Sequence, residues 1–177
     1  MTHPPDLVIR FATANDCATV LRFIRELAEY ERLAHEVVAD EAQLRSTLFG
    51  AAPAAEVVLA ELGESGTRDV VGFALFFHSY STFLAKRGLY LEDLFVQPNA
   101  RGKGVGLALM SALARIATER GCGRFEWSVL DWNEPALEFY ATLGAAPQTT
   151  WTVQRLTGAE LATLANRWPV PPQRSRG

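Results

Sequence analysis

Two cysteines, two methionines and three histidines are all that the 177 residues contain of those types. Cys17 and Cys122 have no metal-ligand spacing and neither adjoins a histidine, so they read as buried free thiols. His3, His35 and His78 are too scattered for a histidine-rich metal site; no metal is expected and none of the three is given a role. Charge of one sign is also lacking: 17 Lys and Arg face 20 Asp and Glu, for a formal net charge of −3. That balance supplies no basic excess for nucleic acid or an anionic membrane surface. No apolar run approaches the ~20 residues of a spanning helix. The opening Met-Thr-His-Pro-Pro-Asp lacks the basic and apolar regions of a secretory leader, so a cytoplasmic location is expected. Internal repeats and interdomain linkers are absent too.

What is present is an ordinary globular composition, 49% hydrophobic and 21% charged, at a length that suits one domain. We expect that domain over residues 1–168, with the proline-rich, basic tail 169–177 disordered. Leu7 to Phe11 reads as a first strand. Thr13, Asn15 or Asp16 can cap a helix whose apolar face is Val20, Leu21, Ile24, Leu27 and Ala28, ending in the polar Glu29-Tyr30-Glu31-Arg32. A shorter helix spans Asp40 to Phe49. Glu56 to Glu61 and Val70 to His78 form a hairpin about Gly63 to Gly66. A loop from Ser79 to Gly88 leads into strand four, Leu89 to Val96.

From Leu89 onward the pattern becomes specific. An apolar run carries two adjacent carboxylates, Glu92 and Asp93, then turns at Pro98-Asn99 into the basic loop Arg101-Gly-Lys-Gly-Val-Gly106. Val105, Leu109, Leu113, Ile116 and Ala117 then recur as the core stripe of a helix. Strand, glycine loop and helix in that order aim backbone N–H groups and the positive end of a helix dipole at one spot, where an anion can sit. A nucleoside-triphosphate loop would need Ser or Thr after Lys103, where Gly104 stands. A dinucleotide fingerprint would need its glycines spaced wider than Gly102, Gly104 and Gly106, and at the first strand.

After that helix, Gly121 and Gly123 bracket a turn into a fifth strand, Arg124 to Leu130, which a right-handed crossover makes parallel to strand four. Asn133 caps a further helix with Pro135 in its first turn, and Gly144 closes it. Asn133, Leu137 and Tyr140 share one face. A late strand, Thr149 to Leu156, and a helix from Thr157 to about Arg167 complete the reading.

Burying an unpaired charge is expensive, and in a regular strand Glu92 and Asp93 face opposite sides. At least one of them must therefore meet a pocket, water or a cation, and Glu92 is a candidate general base. Tyr140 is a candidate acid, because a phenol can donate a proton and otherwise rest in a hydrogen bond. The plain alternatives are a salt-bridged surface carboxylate and an interior tyrosine bonded to a carbonyl.

Arg101-Gly-Lys-Gly-Val-Gly106 resembles the Arg/Gln-x-x-Gly-x-Gly/Ala signature of the GNAT superfamily of acyl-coenzyme A-dependent N-acetyltransferases. With Tyr-Leu-Glu-Asp-Leu-Phe-Val, Trp132-Asn133-Glu134-Pro135, and Phe139-Tyr140 before Gly144-Ala145, it is similar to the diamine (spermidine/spermine) and thialysine branch, over about residues 7 to 165. The resemblance implies a GNAT fold: an α/β domain with a mixed, mostly antiparallel sheet whose parallel strands four and five splay around acetyl-coenzyme A. It implies that Leu94, Phe95 and Val96 pair with the pantetheine arm. Arg101, Gly102, Lys103, Gly104, Val105, Gly106 and Leu107 would hold the pyrophosphate, while Asn133 and Ala136 touch the cofactor. Tyr140 would also meet the cofactor and protonate the leaving thiolate. Tyr30, Glu31, Glu92 and Asp93, with Glu126, Trp127 and Ser128, would line a pocket for a small cationic amine, attacked directly in a ternary complex. It further implies a homodimer. One departure bears on substrate: Ala146-Pro-Gln-Thr-Thr-Trp151 holds no carboxylate where polyamine enzymes of the branch carry acidic residues, which favours a short diamine or a thialysine-like amino acid over a long polyamine. Two alternatives stay open: acetylation of another amine, such as a protein, and a non-catalytic acyl-coenzyme A sensor.

Overall fold

The computed structural model describes residues 6–167. His3 and the tail 169–177 lie outside the described residues. The chain forms two compact units, Met1–Ser128 and Val129–Gly177.

The first unit holds a five-stranded sheet in sequence order: β1 (Leu7–Phe11), β2 (Glu56–Leu62), β3 (Asp69–Ser81), β4 (Lys86–Val96) and β5 (Arg124–Trp127). Neighbours are antiparallel except β4 and β5, which run parallel as the crossover rule requires. Three helices accompany the sheet: α1 (Cys17–Tyr30), α2 (Glu41–Phe49) and α3 (Val105–Glu119). The mixed, mainly antiparallel architecture expected of the fold is therefore present.

Strand register decides which side chains meet which helix. Phe73 lies opposite Phe95 and Leu59, so these share one face of the sheet. There Phe23 of α1 stacks on Phe73 at 5.6 Å and tilts against Phe95 at 5.9 Å. Val20, Leu27, Leu44 and Leu48 complete this core. Truncating any of its phenylalanines would cost about 3–5 kcal/mol. Phe23 widens the apolar face of α1 beyond the stripe read from sequence. The opposite face, carrying Gly72, Ala74 and Phe76, is covered by α3: a Cβ added to Gly72 would meet Leu109 at 3.5 Å.

Local chemistry sets the helix starts. Asp40 accepts from the Gln43 N–H at 2.8 Å while the Gln43 side chain returns to the Asp40 N–H, a capping box that opens α2. Asp16 precedes α1, accepts from the Thr13 N–H at 2.7 Å, and is clamped by both terminal nitrogens of Arg10 at 2.9 and 2.8 Å. The same Arg10 reaches Glu61 on β2 through Nε at 2.6 Å, tying the first strand, first helix and second strand together.

Three boundaries differ from expectation. The stretch read as a loop from Ser79 to Gly88 is mostly ladder, with Ser79 to Ser81 pairing Gly88 to Lys86. Polar residues give no hydropathy signal, but an antiparallel ladder needs only a partner backbone. β5 stops at Trp127 rather than Leu130, for a reason that lies in β4 and is given below. The late strand over 149–156 is not formed: that segment pairs with no strand among the described residues, and Trp151 and Val153 are 76% and 78% exposed. Its β-branched and aromatic content is a preference, and a strand exists only against a partner.

The second unit contains α4 (Glu134–Thr142) and α5 (Gly158–Asn166). The Asn133 side chain accepts from the Ala136 N–H at 3.4 Å to cap α4, with Pro135 in the first turn. At the other end Ala145 N–H bonds the Tyr140 carbonyl and Gly144 N–H the Ala141 carbonyl, with Gly144 at φ 81°, a Schellman stop.

Candidate active site

The carboxylates of β4 sit at an irregularity. Leu75 pairs with Asp93 and Phe76 with Leu91, so Glu92 is the extra residue of a β-bulge. The side-by-side alternation expected of a regular strand is thus broken there. Glu92 is exposed, whereas Asp93 is half-buried on the α1 face, which it shares with Phe95 and Tyr90. Burial pushes the Asp93 carboxyl up to about 6, with the Glu92 and Glu31 charges adding to the shift. Glu31, the residue that ends α1, is itself raised by burial. Among the described residues no Lys or Arg pairs with Glu31, Glu92 or Asp93. Three carboxylates therefore converge where the carbonyl end of the α1 dipole adds further negative potential, an arrangement that favours a cation.

The end of α1 is fixed by the same stop that closes α4. Leu33 N–H bonds the Ala28 carbonyl at 2.7 Å and Arg32 N–H the Glu29 carbonyl at 3.1 Å. The left-handed position is filled by Arg32, at φ 63°, where glycine is usual. A non-glycine residue there costs about 1 kcal/mol. The strained stop holds Tyr30 and Glu31 at the final turn.

The bulge has a second consequence. β4 pairs with β5 only from Gly88↔Arg124 to Leu91↔Trp127, one residue before Glu92. Beyond it Leu94, Phe95 and Val96 bond β3 on one edge, and among the described residues no strand pairs with the other edge. On β5 the substrate candidates divide. Glu126 pairs with Arg124 at 2.7 Å, so its charge already has a partner. Ser128 hydrogen-bonds the Tyr90 hydroxyl at 2.7 Å, on the Asp93 face. Trp127 points to the other face, its ring 4.9 Å from Phe125. Tyr90 is a site residue that sequence reasoning missed; its alternation with Asp93 across the bulge is visible only once the register is known.

The loop after β4 carries the opposite polarity. Gly102 and Gly104 adopt left-handed backbones at φ 72° and 79°, and Gly104 caps α3. A Cβ at Gly102 would meet nothing within 4 Å, so open space surrounds it. The N–H groups of Val105, Gly106 and Leu107 have no partner within the helix and point outward from its positive end. Lys103 is exposed beside them. Arg101 is turned elsewhere: its Nε donates to the Val96 carbonyl at 2.9 Å, and its guanidinium lies over the rings of Tyr30 at 4.9 Å and Phe95 at 5.7 Å.

The first unit thus brings together Tyr30, Glu31, Glu92, Asp93 and Arg101, with an open β4 edge and an anion-seeking helix start. Asn133, Ala136 and Tyr140 belong to the second unit, on and before α4, where Tyr140 is half-buried with its ring 5.4 Å from Phe139. Among the described residues no group of three or more His, Cys, Asp or Glu is arranged to hold a metal, and no helix is long and apolar enough to cross a membrane.

A sheet splayed at a bulge, followed by a glycine loop that opens a helix, defines an acyltransferase scaffold. The Acetyltransferase (GNAT) family matches residues 21–145, and the chain belongs to that family. It is 40% identical to the thialysine N-epsilon-acetyltransferase of Mus musculus, over 90% of this chain and 97% of that one. It is 36% identical to an L-ornithine N5-acetyltransferase of Arabidopsis thaliana, over 88% and 86% of the two chains. An integron cassette protein from the mobile metagenome of V. cholerae superposes with a TM-score of 0.74 at 29% identity, over 92% of this chain and 99% of that one. The enzyme is an N-acetyltransferase.

Proposed function

We propose that this enzyme transfers acetyl from acetyl-coenzyme A to the terminal amine of a small cationic substrate, a thialysine- or ornithine-like amino acid or a short diamine, by direct attack in a ternary complex. The observation that carries the proposal is the convergence of Glu31, Glu92 and Asp93 near the end of α1, none of them in an ion pair with Lys or Arg among the described residues. Relatives named for thialysine and ornithine support it, since both compounds carry a side-chain amine.

The residues present fit the cofactor. The open edge of Leu94, Phe95 and Val96 offers backbone partners to pantetheine amides, and the space at Gly102 admits a close backbone approach to phosphate. Lys103 and the N–H groups of Gly104 to Leu107 would hold the pyrophosphate. Acetyl-coenzyme A supplies the activated thioester.

An alkyl amine with pKa ~10.4 is neutral in only about one molecule in 2,500 at pH 7, so a base is required. Glu92, exposed at the bulge, accepts that proton, directly or through water. Asp93 and Glu31 hold the remaining positive charge. Tyr140 donates a proton to the departing thiolate. Cys17 is fully buried and Cys122 lies outside the site, so neither serves as a covalent carrier. A second reading gives Asp93 the base role; burial favours it, because a carboxyl near 6 is better matched to neutral-pH proton transfer. The enzyme works as a cytoplasmic homodimer.

The test is thiol release from acetyl-coenzyme A across thialysine, ornithine, lysine, putrescine, spermidine and an aminoglycoside. Strong turnover of the side-chain amines of the first three or of putrescine supports the reading. Preference for spermidine or the aminoglycoside, or silence across the panel, contradicts it.

A further inference from the structure

In the GNAT signature Arg101 stands where a phosphate ligand is expected, yet its side chain is engaged by other residues of the protein. Its Nε is anchored on the carbonyl of Val96, the last residue of β4. Its guanidinium covers the Tyr30 ring, at the last residue of α1, and reaches over Phe95 of the core. Tyr30 immediately precedes Glu31, whose charge acts on Asp93. The guanidinium therefore ties the glycine loop and the end of β4 that leads into it to the strained end of α1, distant in sequence.

We propose that Arg101 is a positioning residue for the amine side of the site: it holds the Tyr30 ring against the end of β4 and so fixes the last turn of α1 from which Glu31 meets the substrate cation. The phosphate-binding work of the loop then falls to its backbone N–H groups and Lys103. The contact is a planar cation on an aromatic face, so a flexible ammonium is a poor substitute. The inference rests on the amine-acetyltransferase reading.

The test measures three quantities on Arg101→Gln, Tyr30→Ala, Tyr30→Phe and the double variants: coenzyme A affinity by calorimetry, amine KM by thiol release, and amide hydrogen exchange over residues 27–33. Arg101→Gln should raise amine KM about fivefold, the scale of one exposed cation–π contact, while coenzyme A Kd moves less than twofold. Tyr30→Ala should raise amine KM similarly, and Arg101→Gln should then add little on top of it. In the Tyr30→Phe background, which keeps the aromatic face, the full Arg101→Gln effect should persist. Exchange at the end of α1 should quicken about tenfold in Arg101→Gln, a readout that does not require the amine reading to hold. A coenzyme A Kd raised more than tenfold with amine KM unmoved, multiplicative effects of Arg101→Gln and Tyr30→Ala, or unchanged exchange over 27–33 would each overturn the proposal. If the wild type acetylates no amine, the functional reading fails, and the exchange result alone decides whether Arg101 holds the end of α1.

Discussion

The charge of Glu31 at the end of α1 reaches Asp93 on β4: burial first, then the charges of Glu92 and Glu31, push the Asp93 carboxyl up to about 6. The effect on pH dependence has a definite sign. In the free enzyme Asp93 is protonated below about pH 6 and cannot then hold an ammonium. The kcat/KM for a cationic amine should therefore fall on the acid side with an apparent pKa near 6, since this ratio reports the free enzyme. Asp93→Asn should remove that limb and lower kcat/KM about tenfold or more at pH 7.5. A profile that keeps the same limb in Asp93→Asn would place the titrating group elsewhere.

The same group opposes folding. A carboxyl whose pKa is raised in the fold contributes stability below its ordinary pKa near ~4 and loses it as pH rises through about 6. Asp93→Asn should thus stabilise the ligand-free protein by about 1–3 kcal/mol at pH 7, with the gain vanishing below about pH 4. Urea unfolding at the two pH values checks this.

Asp16 behaves in the opposite sense. Arg10 on its carboxylate holds it down to about 2, so its contribution is present above about pH 4 and lost as pH falls toward 2. Solvent screening keeps the cost of Asp16→Asn to about 1 kcal/mol at pH 7, and the difference from wild type should close near pH 2. Thermal unfolding across that range would show it.

Arg32 occupies a left-handed position that glycine adopts freely. Arg32→Gly should stabilise the fold by about 0.5–1 kcal/mol, measured as an upward shift in the urea midpoint with an unchanged slope. A loss of stability would mean that the Arg32 side chain contributes more than its backbone costs.

The loop makes a contrasting prediction. At Gly102 there is room for a methyl group but φ is 72°, so Gly102→Ala should cost about 1 kcal/mol in stability. Coenzyme A affinity should nevertheless fall at least tenfold, because the added carbon occupies the space in which phosphate meets backbone. Calorimetric binding with near-wild-type affinity would show that the phosphate lies elsewhere.

Much of this was legible in the chain. The stripe from Val105 to Ala117 located α3, the cap at Asn133 located α4, and the Glu92-Asp93 pair pointed to the candidate site. These signals are local: each depends on residues within a few positions. The rest depended on partners. That Glu92 is the inserted residue of a bulge follows from its register against β3, and the early end of β5 follows from that bulge. That Arg101 lies over the Tyr30 ring depends on how α1 ends against β4. The segment 149–156 has the composition of a strand, but the described residues give it no ladder.

The most direct test of the functional reading is to follow thiol release from acetyl-coenzyme A with ornithine or thialysine and to locate the acetyl group in the product by mass spectrometry. Acetyl on the side-chain nitrogen, formed in step with thiol release and reduced at least tenfold by Glu92→Gln or Asp93→Asn, is the predicted result. Coenzyme A binding without acetyl transfer to these or any other small amine would contradict it.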